Sequence, residues 1–350
     1  MKSLFRILIV VTCLGIVFFY SSSENTKPLE IPEPEITVVD NVEELEFNNE
    51  SLQRPNAGLS TFIGKSVKTI VDEFNEPQRI EKTPYGYDWW IYNQYELYVM
   101  FGVKDGLVSQ VYTNSTAYEV TPYTMYMSED DIYRMTIMHG EISVEENGNI
   151  YIYTMSDYDL KHRILVQFDD IYAQLYIDAK QKKLMGIRFM DGATLVAHQP
   201  YEMQFVGELV ENEVPVFDEA VNQMNTQLLF ELTNVFRLKE KIPILSYSNS
   251  LTQLAKSHST DMLEGQFVSH NSPTFGTLKE RVDTINLVYE DIGENIATGF
   301  YDAIEAMHSL LNSDNHRKLI YEEQYTEIGV GVAERYYTQI FFDPEETDDE

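Results

Sequence analysis

The spacing of apolar residues changes once along this chain, and that change limits the fold more than any other feature does. Between residues 58 and 200, short runs rich in β-branched and aromatic residues, such as Ile171 to Ile177, alternate with turn residues, which predicts β-strands. From Phe217 onward, apolar residues recur at intervals of three and four, which predicts amphipathic helices. A length of 350 residues suits two domains of roughly 150 residues each. The sequence therefore predicts an α+β protein in which a β-rich domain precedes a helix-rich one.

A repeat is visible inside the β-rich segment. Ser66 and Ser128 each precede a short helical pattern, and Gly86 and Gly148 each precede a strand-like run. Both pairs are about 62 residues apart, which indicates an internal duplication. We therefore predict a duplicated β-rich α+β domain over residues 58–200. Its Tyr and Trp side chains are expected to pack in the core, with a Tyr- and Trp-rich binding or regulatory face as the alternative.

The first 22 residues have the features of a membrane segment. Lys2 and Arg6 stand at the start of an apolar stretch of about 17 residues that ends at Tyr20, near the lower limit for a membrane-spanning helix. Basic residues at this end keep the N-terminus in the cytoplasm. We predict a single-pass transmembrane anchor over residues 1–22, with a cleaved signal peptide or lipid attachment at Cys13 as alternatives. Each of them places the bulk of the chain outside the cytoplasm.

Acidic segments flank the two domains. Residues 23–57 contain four prolines and keep neither a helical nor a strand period, which predicts an extended linker, and residues 343–350 form an acidic tail. The chain has 25 Lys and Arg against 57 Asp and Glu, a net charge of −32. That charge argues against a nucleic-acid partner and against docking on anionic lipid, because both attract basic surfaces. With one cysteine, the chain can form neither an intrachain disulfide nor a C-x-x-C site.

The helix-rich segment contains several signals for element boundaries. Asp218 can cap a long helix, and further helices are predicted near residues 250–264 and 301–312. Two strand-like runs, 327–333 and 336–342, end the segment, and helices packed on such strands form a layered α+β domain.

Two histidines on these helices are assigned by their position around the helix. His258 lies on the apolar stripe and is predicted to be a packed core residue. His308 lies away from the stripe and is predicted to be exposed to solvent.

Seven short motifs follow one another over roughly the last 125 residues. They are Leu229 to Arg237, Leu254 to Met262, Phe267 to Pro273, Gly293 to Ala297, Ser313 to Lys318, Ile328 to Val332 and Tyr337 to Gln339. With these motifs, residues 217–342 resemble the CAP superfamily (cysteine-rich secretory, antigen 5 and pathogenesis-related 1 proteins, also called SCP-like) in its cysteine-free bacterial form. The resemblance implies an α-β-α sandwich with an open cleft. The region before it resembles a CAP-associated N-terminal domain.

The resemblance also implies a set of cleft residues. Members of the family commonly place two histidines and two acidic residues in the cleft, and these correspond to His270, Glu294 and His316, with the second acid falling near Ser313. The resemblance therefore implies that the fourth ligand is lost, with Asp314 as the candidate substitute. The resemblance implies that such a cleft can bind a divalent metal, zinc or calcium. Asn295 and Gln339, which belong to the same motifs, are expected to support the cleft by hydrogen bonds.

Imidazole and carboxylate groups allow three different roles for this trio. They can hold Zn²⁺ with a coordination position left for water, and such a site could hydrolyse an ester or amide. Without a metal, Glu294 could orient a histidine for acid–base work. The trio could also be polar packing alone.

We therefore expect a membrane-tethered binding or scaffolding protein of the cell envelope, and whether it is an enzyme stays open. An envelope polymer, a peptide or a lipid are the candidate ligands. The alternatives are a peptidase-like hydrolase acting through His270, Glu294 and His316, and a module in which the β-rich domain regulates the cleft.

Overall fold

The computed structural model describes residues 27–31, 34–38, 51–206 and 215–345. Its helices are α1 Val67–Phe74, α2 Glu129–Met135, α3 Asp157–His162, α4 Gly192–His198, α5 Glu219–Lys239, α6 Asn249–Gly265, α7 Leu278–Asp283, α8 Ala303–Leu311 and α9 Asp314–Tyr321. Its strands are β1 Leu29–Glu30, β2 Ile36–Val38, β3 Arg79–Lys82, β4 Asp88–Tyr92, β5 Val99–Lys104, β6 Leu107–Thr113, β7 Glu141–Glu146, β8 Asn149–Thr154, β9 Arg163–Phe168, β10 Ile171–Asp178, β11 Lys183–Asp191, β12 Glu202–Val206, β13 Ser246–Tyr247, β14 Tyr289–Thr298, β15 Glu327–Ala333 and β16 Tyr336–Pro344. Short 3-10 helices cover Leu59–Phe62 and Tyr95–Leu97.

The predicted anchor over residues 1–22 and the last five residues of the predicted acidic tail lie outside the described residues. Within the described ranges, no helix combines the length and the apolar character needed to cross a membrane.

Two β-sheets form the N-terminal domain. The larger sheet is antiparallel, with strand order β3-β4-β5-β6-β11-β10-β9, and the smaller sheet has the order β2-β12-β8-β7. The two predicted repeat units begin alike, since α1 precedes the β3–β4 hairpin and α2 precedes the β7–β8 hairpin. They then diverge, because β11 pairs with β6 in the larger sheet while β8 pairs with β12 in the smaller one. The domain is β-rich as predicted, and the two hairpins belong to different sheets.

The C-terminal domain is an α-β-α sandwich around a sheet of order β1-β14-β16-β15-β13. Apolar side chains of β16 point alternately to the two faces of this sheet, because neighbouring residues of a strand point to opposite sides. Phe341 joins the core beneath α5 and α8, whereas Ile340 and Phe342 pack with Leu251 and Ala255 of α6 on the other face.

Two glycines allow α6 to lie directly on β15. A Cβ atom added at Gly329 would lie 2.2 Å from the backbone of Leu251, and one at Gly331 would lie 2.0 Å from the backbone nitrogen of Lys256. Side chains at these two positions would therefore push the helix away from the sheet. The two glycines thus allow a short distance between β15 and α6, the helix that carries His258.

The segment predicted to be an extended linker contributes strands to both domains. Strand β1 pairs in parallel with β14, with Leu29 opposite Ala297, and β2 pairs in parallel with β12, with Ile36 opposite Met203. An extended segment without internal hydrogen bonds can satisfy its backbone groups on an open sheet edge. The chain before the N-terminal domain is thus bound to the edge of each domain's sheet.

The two domains share one hydrophobic core. Trp89, Tyr112 and Tyr176 of the N-terminal domain pack in the same cluster as Leu232 and Met307 of the C-terminal domain. Buried and half-buried ion pairs cross the same boundary and satisfy the charges that the interface removes from water. They join Arg79 to Glu231, Arg163 to Glu305, and Arg188 to Asp302.

His308 contradicts its predicted exposure. Its side chain is buried at the domain boundary, where its Nε2 atom lies 2.9 Å from the hydroxyl of Tyr112. The ring has room because Gly186 of β11 faces it, and a Cβ at Gly186 would lie 2.6 Å from the ring. The prediction was wrong because it considered the helix alone, and the polar side of α8 is covered by the other domain.

Candidate functional site

The centre of the candidate site is the buried carboxylate of Glu294. Strand β14 carries Glu294, and the segment after α6 carries His270, whose Nδ1 atom lies 2.8 Å from the Glu294 Oε1 atom. Arg281 of α7 donates to the other carboxylate oxygen and also to the backbone oxygen of His270, 2.8 Å away. One guanidinium thus fixes both the acid and the segment that presents the imidazole.

These contacts keep Glu294 ionised. Burial by itself raises the pKa of a carboxyl group, because it disfavours the charged form. The hydrogen bond from His270 and the positive charge of Arg281 outweigh burial, so the pKa of Glu294 lies below its usual value. The site therefore holds a fixed negative charge whose two oxygens are both engaged.

His316 stands beside this pair with one ring nitrogen free of hydrogen bonds. Its Nδ1 atom lies 2.7 Å from the Ser313 hydroxyl oxygen, and its side chain is 2% exposed. The Nε2 atom is buried and has no hydrogen-bond partner among the described residues. Burial, together with the nearby His270, lowers the pKa of His316 to about 4. The ring is therefore neutral near pH 7 and has a nitrogen without a hydrogen bond. A buried polar atom of this kind lowers the stability of the fold, and native proteins contain few of them.

Asn295 and Gln339 lie next to the backbone of His316, as side chains on neighbouring strands. They are directly opposite each other in the β14–β16 pair, and the Asn295 amide nitrogen lies 3.1 Å from the Gln339 amide oxygen. Asn295 also donates to the backbone oxygen of His316, and Gln339 donates to Thr233 of α5. This chain of hydrogen bonds ties α9 to the sheet and to the helix on that face.

Two residues of the site were not assigned from the sequence. His258 is buried, as predicted for a core residue, but its Nε2 atom also lies 4.0 Å from Glu294 Oε1 and 3.0 Å from the Ser269 oxygen. Arg281 lies in α7, a six-residue helix that begins with the capping box of Thr277 and Glu280, the T-x-x-E pattern that marks a helix start. A buried carboxylate requires a compensating cation, so this pattern, with Arg281 next to Glu280, is the signal that could have indicated the residue.

Ser313, near which the second acid was predicted to fall, orients His316 through its hydroxyl. Asp314, considered as a substitute, does not join the site. Its carboxylate lies 3.0 Å from Lys180 of the N-terminal domain and is largely exposed. The reason is geometric, because Asp314 begins α9 and points toward the domain boundary, whereas His316 follows two residues later on another side of the helix.

The arrangement does not fit a three-ligand metal site. In the described part of the chain, no group of three or more His, Cys, Asp or Glu side chains is placed to hold a metal ion. Arg281 explains why, since its guanidinium occupies one oxygen of Glu294 and would repel a cation. The assignment of zinc or calcium to His270, Glu294 and His316 stays a prediction, which requires Arg281 to move.

What the site can do without a metal follows from its hydrogen bonds. Glu294 orients His270 through Nδ1, which is the arrangement by which carboxylates fix a histidine for binding or proton transfer. The neutral His316 can accept or donate one hydrogen bond through Nε2. The site therefore offers two oriented imidazoles on a rigid sheet.

Known protein families and relatives match both domains of this chain. Residues 63–201 match the family model described as CAP-associated N-terminal, and residues 230–342 match that of the cysteine-rich secretory protein family. The chain is 32% identical over 348 residues to the protein named Uncharacterized membrane protein YlbC from Bacillus subtilis (strain 168). That similarity covers 97% of this chain and 99% of the relative.

Solved structures agree with the same architecture. The crystal structure of an extracellular protein containing a SCP domain from Bacillus anthracis str. Ames has a TM-score of 0.77 at 33% identity, and covers 85% of this chain and 99% of that chain. A cysteine-rich secretory protein from Staphylococcus aureus subsp. aureus Mu50 has a TM-score of 0.75 at 24% identity, with 91% and 100% covered, and shares the fold.

Proposed function

This chain belongs to the cysteine-rich secretory protein (CAP) family, and from that premise we propose that it is a membrane-tethered, extracytoplasmic binding protein of the cell envelope. Its ligand site is the cleft around His270, Glu294 and His316. The ligand belongs to the envelope: a polymer, a peptide or a lipid.

The observation that carries this proposal is the buried, unpartnered Nε2 atom of His316. A polar atom that loses water without gaining a partner costs about 1–3 kcal/mol, and a ligand that supplies the missing hydrogen bond recovers that cost. The nearby His270 contributes to the lowered pKa of His316, so the two rings belong to one site. The sheet and Arg281 hold these groups in place before binding, which reduces the entropy lost on association.

Attachment to the membrane has separate support. Lys2 and Arg6 precede the apolar stretch that ends at Tyr20, and the relative of nearly equal length is named a membrane protein. The similar structure from Bacillus anthracis is described as extracellular. An anchor at the N-terminus would present both domains on the outer side of the membrane.

A hydrolase is the second candidate, because Glu294 orients His270 as a carboxylate orients a catalytic base. In this case a water molecule is the nucleophile, and cleavage of peptide and cell-wall substrates must disappear in Glu294→Gln. Circular dichroism must show that this variant keeps its fold. An inactive wild-type protein would leave binding as the function.

Binding is tested on the full-length chain purified in mild detergent. Calorimetry would compare soluble cell-wall fragments, lipid vesicles and peptide pools as probes for the wild type, for His316→Phe and for His162→Phe, a histidine of the N-terminal domain. We expect one class of probe to bind the wild type and His162→Phe equally, and His316→Phe at least tenfold more weakly. Equal affinity in His316→Phe, or binding by none of the probes, contradicts the proposal.

A further inference from the structure

The outer edge of strand β2 is open. β2 stands at the end of the smaller sheet, so among the described residues no strand pairs with its other side. On the inner side, the backbone nitrogen of Met203 in β12 donates to the backbone oxygen of Glu35, 2.9 Å away. Because the backbone groups of successive residues in a strand alternate in direction, Glu35 and Thr37 bond to β12. Ile36 and Val38 therefore direct their N–H and C=O groups away from β12, toward the open edge.

The side chains of β2 do not protect this edge. All three residues are β-branched, and Ile36 and Val38 are 45% and 53% exposed. Proteins commonly protect an open edge with charged side chains, with proline or with a covering segment. Two other sheet edges of this chain follow that rule, because β7 contains three glutamates and β3 has three charged residues among its four. The edge of β2 instead combines outward backbone groups with strand-forming side chains, which suits pairing with another strand.

A second copy of β2 matches this edge. When two copies run antiparallel with their Thr37 residues opposite each other, Ile36 of each copy lies opposite Val38 of the other. Each of these opposite pairs can exchange the N–H and C=O groups that point outward from β2. The same register places β-branched side chains side by side, a favourable cross-strand contact. The pairing has a two-fold axis through Thr37, the symmetry of most homodimers.

The acidic residue next to β2 does not prevent this pairing. The chain carries a net charge of −32, so two copies repel each other at long range. In this register the two Glu35 residues lie at opposite ends of the paired strands, about 14 Å apart at a rise of about 3.4 Å per residue. This separation exceeds the Debye length of about 8 Å at physiological ionic strength, so salt screens most of their repulsion.

The membrane anchor of the proposed function supports this pairing, and the inference rests on it. Stable dimers bury about 1,200–2,000 Å², far more than a strand of three residues offers. Residues 23–35 lie between the predicted anchor and β2 and can extend to at most about 45 Å, so each copy holds this edge near the bilayer. Copies confined to such a layer meet at a high effective concentration. A two-fold axis along the membrane normal lets both anchors enter the same bilayer.

From these observations we infer that β2 is a dimerisation edge. Two membrane-anchored copies pair residues Ile36–Val38 antiparallel around Thr37, which joins their smaller sheets into one continuous sheet. Glu294 of the cleft belongs to β14 in the sheet of the C-terminal domain, so the pairing leaves the ligand site unchanged.

Cysteine cross-linking tests the register. The full-length chain with Cys13→Ser and Thr37→Cys is reconstituted in egg phosphatidylcholine vesicles and oxidised with copper phenanthroline. Opposite residues of a non-hydrogen-bonded pair have Cα atoms about 4.5 Å apart, within the range that a disulfide spans. We expect at least tenfold more disulfide-linked dimer than for Val288→Cys in the same background, which places the thiol on a 65% exposed residue of the C-terminal domain. Equal cross-linking at both positions, or no dimer through Thr37→Cys, overturns the inference.

A backbone variant distinguishes strand pairing from chance contact. Val38→Pro removes the N–H group that faces the second copy and none of the bonds to β12, and proline is tolerated where the N–H side of an edge strand points outward. In the Thr37→Cys chain, we expect Val38→Pro to reduce the dimer at least fivefold. Val38→Thr, which keeps both the N–H group and the β-branched shape, should leave the dimer unchanged. Undiminished cross-linking in Val38→Pro would refute pairing through β2.

Flotation of the same vesicles separates this inference from the proposed function. A chain that floats with the vesicles and is not cross-linked through Thr37→Cys refutes the dimer and leaves the anchored binding protein intact. A chain that does not float refutes the anchor, and the pairing of anchored copies with it.

Discussion

The imidazole of His308 lies flat on the phenol ring of Tyr176, with centroids 4.0 Å apart and an angle of 4° between the planes. His308 belongs to the C-terminal domain and Tyr176 to the N-terminal domain, so this stack is part of their common boundary. The Nε2 atom of His308 lies within hydrogen-bond distance of the Tyr112 hydroxyl, and its Nδ1 atom has no hydrogen-bond partner in the described part of the chain. A proton added to this ring would be a buried charge near Lys239 and Arg188. The stack therefore makes the joint between the domains sensitive to acid.

Replacing His308 by Phe should make stability less dependent on pH. Burial, with the charges of Lys239 and Arg188, lowers the pKa of His308 well below 6.5 in the folded protein. Below pH 6.5 the unfolded chain therefore binds a proton that the folded chain does not, and the free energy of unfolding falls with falling pH. One histidine contributes a slope of up to about 1.4 kcal/mol per pH unit, which His308→Phe should remove between pH 6 and 5. Urea unfolding of both proteins at several pH values measures this slope.

Glu305 changes the stability in the opposite direction when the pH falls. Burial raises the pKa of Glu305 to about 7, so this group stabilises the folded protein as the pH falls from 7 toward 4.5. Because Glu305 is present in both proteins, their difference isolates His308. Val288→Ala, a change at an exposed residue without an ionisable side chain, should keep the wild-type slope. A slope in His308→Phe equal to that of the wild type would count against a neutral His308.

Two ion pairs across the boundary should differ greatly in their effect on stability. The Arg188–Asp302 pair is buried, with 2.6 Å between nitrogen and oxygen, whereas the Lys180–Asp314 pair is largely exposed. Arg188→Met should lower the free energy of unfolding by about 3–5 kcal/mol, because the charge of Asp302 is left buried without its cationic partner. Lys180→Met should lower it by less than about 1 kcal/mol. Urea titration of both variants checks this, and similar losses would show that burial is not decisive.

Removing the guanidinium from Glu294 should increase zinc affinity. Arg281 occupies one carboxylate oxygen and adds a positive charge to the site. We expect calorimetry to find at least tenfold tighter zinc binding in Arg281→Met than in the wild type, because both obstacles disappear. The double variant Arg281→Met with His316→Phe should lose that gain. If the wild type already binds zinc as tightly as Arg281→Met, and His270→Ala and His316→Ala weaken it, the metal assignment is correct without any movement of Arg281.

A methyl group at Gly331 should displace α6. Its Cβ would lie 2.0 Å from the backbone nitrogen of Lys256, and a backbone atom cannot give way as a flexible side chain can. Overpacking of this kind costs about 1–3 kcal/mol, and thermal unfolding of Gly331→Ala should show at least that loss. Gly140→Ala is the matched control, because nothing lies within 4 Å of its added Cβ. Equal melting temperatures for both variants would contradict the close approach of helix and strand.

Local signals in the sequence were enough to predict the helices that have both a strong cap and a long apolar stripe. Asp218 caps α5 through the backbone nitrogen of Val221, as predicted, and Ser128 caps α2. Shorter elements had caps but no long apolar stripe, and α7, which supplies Arg281, has six residues after the capping box of Thr277 and Glu280. Strand β14 was not predicted either, because polar residues such as Glu294 and Asn295 interrupt its apolar pattern. These polar residues form the candidate site, so the local pattern was weakest there.

Positions that depend on the second domain could not be predicted from the chain segment alone. His308 lies on a polar helix side that is buried only because a β-sheet covers it. Asp314 has a reasonable position in the sequence for a ligand, yet Lys180 of the other domain binds it. Both outcomes are set by contacts between residues more than 100 positions apart in sequence, which periodicity does not record.

The parallel pairing of β1 and β2 has a mechanical consequence. Any tension transmitted through the N-terminal end of the chain reaches Leu29 on the edge of one domain's sheet before it reaches Ile36 on the edge of the other. Because the pull would run along these strands, it would shear their hydrogen bonds together instead of opening them one at a time. The segment that carries β1 and β2 would thus resist such a pull through both pairings, first on the sheet of the C-terminal domain and then on the smaller sheet of the N-terminal domain.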